Sequence, residues 1–212
     1  HMAPLRFCAN ISWLFTELPD FSKRIYAAAA AGFQAVEAAW LYDCDLSELQ
    51  RAREATGVEV VLINTPPGDV QAGDLGLGAV PGREAEFRQG LDLALDYARS
   101  LSCKRWWEKN IHIGKWSRNH DPAMNLSDLL QDIFHCQIMD GNLSQNLQKY
   151  LPIIAHIQIA QVPDRNEPDS AGELNYSFLF STLEKHGYQG YIGCEYKPLG
   201  STKEGLGWLS KY

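Results

Sequence analysis

The sequence has no CxxC pair, no apolar run of membrane-spanning length and no excess of positive charge. Each absence narrows the field. The five cysteines, Cys8, Cys44, Cys103, Cys136 and Cys194, are odd in number and widely spaced. That argues against a disulfide framework or a zinc knuckle. It fits a reducing, cytoplasmic compartment and thiols that pack as small apolar groups. Without a long apolar run no transmembrane segment is expected. The opening HMAPLRFCAN has no apolar core of a secretion signal. His1 and Met2 read as a cloning remnant and are set aside. The formal net charge of −7 argues against a general nucleic-acid binder, so any such contact would have to be local.

What is present is a foldable, patterned chain. Of 212 residues, 45% are apolar and 21% charged, enough to bury a core. Strand candidates Leu5–Ile11, Ala35–Trp40 and Val58–Ile63 alternate with helix candidates Phe21–Gly32, Asp45–Thr56 and Arg83–Leu101. Asp45 with Glu48 reads as a helix start, and Gly57 as its stop. A Gly/Pro loop covers Thr65–Gly82. The second half resumes the alternation. Leu129–Phe134, Ala155–Ala160 and Tyr191–Tyr196 read as strands. Leu143–Tyr150, Tyr176–His186 and Lys203–Tyr212 read as helices. Alternation of this kind predicts parallel strands with helical crossovers. Six strands are expected, three on each side of one break, in a single domain over residues 3–212.

The break is KRWWEKNIHIGKWSRNH, Lys104 to His120, which has neither a strand period nor a helix period. A (β/α)8 barrel needs eight strands, and the two that are wanting belong where the pattern fails. The expected fold is an α/β, TIM-barrel-like domain with its fourth and fifth βα units missing or replaced. Residues 104–128 are the atypical segment. Only Ile111–Gly114 (IHIG) faintly suggests a fourth strand.

In such folds ligands bind beyond the C-terminal ends of the strands. Asp132 and His135 lie at one such end. Gln158 lies at the next, with Arg165 and Glu167 shortly after it, and Glu195 ends a third. Glu37 and Asn64 stand at or near strand ends in the first half. An acid inside an apolar strand is costly unless it is paired, protonated or bound to a cation. Glu195 and Glu37 can each be read as a buried salt bridge to a nearby Lys or Arg, and His135 as a satisfied core histidine. Asp132, Gln158 and Glu195 are more specific together. Three oxygen donors from three successive strand ends suit Mg2+ or Mn2+ better than zinc. A cation there would stabilise an enediolate while a carboxylate moved a proton between two carbons. That describes an aldose–ketose type isomerase.

The wording of five segments carries a resemblance: LRFCANISWLF, VLINTPPGD with GLGAVPGR, DIFHCQIMDGNL, HIQIAQVPDRNEPDSAGELNY and GYIGCEYKP. In this order they resemble the hydroxypyruvate isomerases of the xylose-isomerase-like TIM barrels. The resemblance covers residues 3 to 103 and 129 to 212. It implies a divalent metal, Mg2+ or Mn2+, held by four strand-end residues. Two glutamates would move a proton across an enediolate between hydroxypyruvate and tartronate semialdehyde. Carried over by position, Asp132, Gln158 and Glu195 match metal ligands, and Glu195 also matches a catalytic glutamate. His135 and Arg165 match substrate-binding positions. The remaining ligand, a fifth-strand glutamate followed by Pro-Ile-Asn, has no match in this sequence. The implied substrate is a small hydroxy-keto acid or sugar. A homodimer covering the open strand edges is also expected.

Three other readings compete. The Lys104–His120 stretch could neutralise phosphates with its basic residues and stack bases on its tryptophans, but the acidity of the chain opposes it. An endonuclease of the same superfamily would need a histidine-rich zinc cluster, and only His135 and His156 lie near strand ends. An inactive, shortened relative that binds a small molecule or a partner protein remains the main alternative.

Overall fold

A computed structural model describes residues 4–103, 106–107 and 129–212. The chain divides into two compact units, His1–Cys8 with His112–Tyr212, and Ala9–Ile111. The boundary runs inside the first strand, β1 (Arg6–Asn10).

In the unit Ala9–Ile111, β1 leads to α1 (Phe21–Ala30), β2 (Ala35–Ala38), α2 (Leu46–Thr56), β3 (Glu59–Asn64) and α3 (Glu84–Ser100). The pairings are parallel: Asn10 lies opposite Glu37, and Ala38 opposite Ile63. β2 is buried at every position and β3 at all but its first. Such strands read as continuous apolar runs because helices cover them. α2 begins as the sequence predicts. The Asp45 side chain accepts from the Ser47 amide at 2.8 Å, and Gly57 ends the helix with φ of +69°, which a residue without Cβ adopts at no steric cost. α3 buries Ala94, Tyr97 and Ala98, whereas Phe87, Leu91 and Leu95 are only half-buried.

One strand departs from expectation. The sequence suggests no strand at Lys104–Trp107, yet Trp106–Trp107 forms a two-residue strand, β4, parallel to β3 with Ile63 opposite Trp106. The edge of β3 offers unpaired backbone groups, and tryptophan is a good strand former. The Ile111–Gly114 candidate lies outside the described residues.

In the other unit, β5 (Leu129–Asp132), β6 (Ile154–Ile159) and β7 (Tyr191–Cys194) are also parallel. The sequence predicts strand to Phe134. The chain turns earlier because the Asp132 carboxylate accepts from the His135 amide at 3.2 Å and so caps α4 (Ile133–Met139). α5 (Leu143–Tyr150) and α6 (Tyr176–Lys185) lie where the periodicity puts them. The expected last helix is α7 (Thr202–Gly205) continued as 3-10 turns over Leu206–Lys211. An aromatic cluster closes this unit. Phe7 meets Phe180 edge-on at 5.4 Å and Trp208 at 5.2 Å, and Phe180 meets Tyr212 at 4.8 Å. Such pairs contribute about 0.5–1.5 kcal/mol each beyond their buried area.

All five cysteines are free; four are buried and Cys44 is half-buried. Among the described residues no helix is long and apolar enough to cross a membrane.

Candidate active site

The strand ends of β5–β7 bring the residues singled out from the sequence together. Register puts Asp132 opposite Gln158, and Gln158 opposite Gly193. Paired residues of parallel strands project to one face, so Asp132 and Gln158 are neighbours there. Glu195 lies just past the end of β7 and is 2% exposed.

Arg165 joins the two carboxylates. Its Nη2 lies 2.5 Å from Glu195 Oε2 and 3.9 Å from Asp132 Oδ2. Its Nε donates to the Glu195 carbonyl at 3.4 Å. The guanidinium also stacks 4.8 Å above the Phe134 ring, a second attraction that fixes its plane. His135 reaches back from α4, with Nε2 3.4 Å from Asp132 Oδ2, and keeps a third of its side chain exposed. Asp132, His135, Arg165 and Glu195 thus form one constellation, with Gln158 beside Asp132. The salt bridge read for Glu195 is present, and its partner is Arg165, a residue also singled out from the sequence.

Arg165 lies in the loop between β6 and α6. Near the start of that loop the buried side chain of Gln161 is a hub. Its Oε1 accepts from the amides of Val162 (3.0 Å) and Leu174 (2.8 Å), and its Nε2 donates to the carbonyls of Pro168 (3.3 Å), Ser170 (3.2 Å) and Leu174 (3.0 Å). Arg165 has φ of +60°, a left-handed conformation that costs a residue with a Cβ, and its amide donates to the Gln161 carbonyl at 2.8 Å. Gln161 was not singled out from the sequence; its one signal is a polar residue directly after the strand segment HIQIA. Below the loop, the buried Tyr176 hydroxyl donates to the Ala160 carbonyl at 2.7 Å and accepts from the Ala160 amide at 3.0 Å. Burial, seconded by the Asp132 charge, pushes that hydroxyl well above the usual tyrosine value.

Glu37 lies in the other unit and is wholly buried. It accepts from Asn10 Nδ2 at 2.8 Å, so a side-chain amide is one of its partners. The Oδ1 atom of Asn64, at the end of β3, is buried and has no hydrogen-bond partner among the described residues.

A hard divalent cation fits the donor chemistry of the β5–β7 site. Asp132, Gln158 and Glu195 offer carboxylate and amide oxygens and no sulfur, and Arg165 offsets part of the negative charge.

The family described as "Xylose isomerase-like TIM barrel" matches residues 25–131 and 128–212. A Danio rerio protein named "Putative hydroxypyruvate isomerase" is 54% identical over 266 residues, covering 100% of this chain and 96% of that one. A Haemophilus influenzae protein named "2-oxo-tetronate isomerase" is 38% identical, covering 98% and 99%. A crystal structure titled AP endonuclease, family 2 from Brucella melitensis superposes with a TM-score of 0.85 at 36% identity, covering 98% of each chain. The 266-residue alignment that takes in all 212 residues here leaves 54 positions with no counterpart in this chain. The family match itself breaks at 128–131, where the atypical segment ends. The chain therefore belongs to the xylose isomerase-like TIM-barrel family, as a shortened member of the isomerase type.

Proposed function

We propose that this chain interconverts hydroxypyruvate and tartronate semialdehyde through an enediolate, assisted by Mg2+ or Mn2+. The observation that carries the reading is the convergence of Asp132, His135, Arg165 and Glu195 at the strand ends, with Gln158 in register beside Asp132. The names of the relatives support the substrate class, a small hydroxy-keto acid.

Asp132, Gln158 and Glu195 would hold the cation, which supplies Lewis-acid polarisation of the substrate oxygens when bound. Arg165 binds the substrate carboxylate and orients Glu195. Glu195 removes a proton from the hydroxymethyl carbon, and the electron pair moves onto the adjacent carbonyl as the enediolate forms. The hydroxyl proton passes to the former carbonyl oxygen, next to His135. Glu195 then returns its proton to the former carbonyl carbon, and the aldehyde forms at the other end. Atoms and electrons balance within the substrate, so no redox partner is required. The resemblance implies a second glutamate on a fifth strand, which this sequence does not match. In this reading Glu195 serves both carbons on one face of the enediolate.

The missing positions favour one other reading, a shortened relative that binds a small acid or a partner protein without turnover. The test is turnover with Mg2+ or Mn2+ beside Glu195→Gln. The isomerase reading expects a loss on the order of 10²–10⁴-fold in kcat. A folded, metal-binding wild type with no turnover would leave the binding reading.

A further inference from the structure

The Arg165–Glu195 pair sits on two loops that are tied together by a third acid. Glu167 is 4% exposed, and its carboxylate accepts from the Leu199 amide with Oε1 at 3.0 Å and Oε2 at 3.2 Å. Leu199 lies in the loop after β7, four residues past Glu195. The same two loops are joined by the Lys197 amide donating to the Arg165 carbonyl at 2.7 Å, and by Asn166 Nδ2 donating to the Lys197 carbonyl at 2.8 Å. Room for the carboxylate is built in. A Cβ on Gly205 would stand 2.5 Å from Glu167 Oε1, so a side chain at that position would collide with it. A buried carboxylate spent on one backbone amide is expensive. The expense is explained if the distance between the loops matters.

We propose that Glu167 is a positioning residue, which clamps the loop carrying Arg165 to the loop carrying Glu195 and so sets the guanidinium against the carboxylate. It acts through Arg165 and does not touch substrate. Its kinetic consequence rests on the isomerase reading above, since an error of about 1 Å at a reacting group can cost on the order of 100-fold in rate. Gln at this position can accept one amide hydrogen but also turns an NH2 group towards the loop, so Glu167→Gln loosens the clamp at nearly constant volume. Asn166→Ala loosens it from a half-buried position with little risk to folding.

The test has two parts on the full chain. Amide hydrogen exchange is measured over 161–174 and 195–201, and kinetics are measured for Glu167→Gln, Arg165→Met and the double variant. The clamp predicts faster exchange in both loops for Glu167→Gln and, more weakly, for Asn166→Ala, with β6 and α6 unchanged. It predicts a fall in kcat/KM of about tenfold to 100-fold for Glu167→Gln, and a double variant no worse than Arg165→Met alone. Unchanged exchange overturns the proposal. So do losses that multiply in the double variant, because Glu167 would then act independently of Arg165. If Glu167→Gln does not fold, exchange and the same cycle with Asn166→Ala decide. If the wild type lacks turnover, the isomerase reading falls, and exchange alone decides whether Glu167 holds the two loops.

Discussion

Single side chains decide whether the strand ends of β5–β7 make a site. Glu195 is held by one guanidinium at 2.5 Å. Arg165 also lies 3.9 Å from Asp132, so replacing either member of the pair unbalances three charges in a part-buried site and is destabilising. The Tyr176 hydroxyl is equally committed, since it serves both backbone groups of Ala160 just after β6. Tyr176→Phe leaves a buried amide and a buried carbonyl without that partner. We expect a loss of about 1–3 kcal/mol, read as a lower urea midpoint at unchanged slope; an unchanged midpoint would contradict the assignment. The places of such residues were unequally legible in the sequence. Asp132, Gln158 and Glu195 stood out because three oxygen-bearing side chains at successive strand ends of a parallel sheet can converge. Gln161 and Tyr176 did not stand out, because their bonds run to backbone atoms that only the fold brings near.

At the scale of elements, the alternation of strands and helices was readable wherever burial imposed a period. β3 and β6 lie within a residue of their predicted bounds because both run almost wholly buried. The error at β5 arose because Asp132 does two things, ending the strand and capping α4. Periodicity cannot show where a capping side chain cuts a mostly apolar segment such as LLQDIF. The loop from β6 to α6 had no period at all, and its form comes from the Gln161 hub. Gln161→Leu keeps the volume and removes five hydrogen bonds to the backbone of its own loop. Each buried group left without a partner costs about 1–3 kcal/mol. The variant should therefore lose several kcal/mol or fail to fold, and limited proteolysis should cut first within 161–174. Wild-type resistance in that loop would contradict the hub.

For the whole molecule, the protons held by buried groups set the alkaline limit of stability. Burial pushes the Tyr176 and Tyr196 hydroxyls and the Cys136 and Cys44 thiols above their ordinary values. The folded chain thus keeps these protons where the unfolded chain releases them, thiols from about pH 8.5 and tyrosines from about pH 10. Their contribution is complete below the unfolded values and is lost as pH rises through them towards the folded ones. Unfolding free energy should fall steadily above about pH 8.5, and chemical denaturation across pH 7 to 11 would show it; a flat profile would contradict the burial. Whether a chain lacking 54 aligned positions of its relative still moves a proton with Glu195 can be measured directly. Hydroxypyruvate is incubated in D2O with the protein and Mn2+ or Mg2+, and loss of its hydroxymethyl C–H signal is followed by proton NMR. Exchange well above the protein-free rate is expected, abolished by Glu195→Gln. Exchange that persists undiminished in that variant, or never exceeds the protein-free rate, would contradict it.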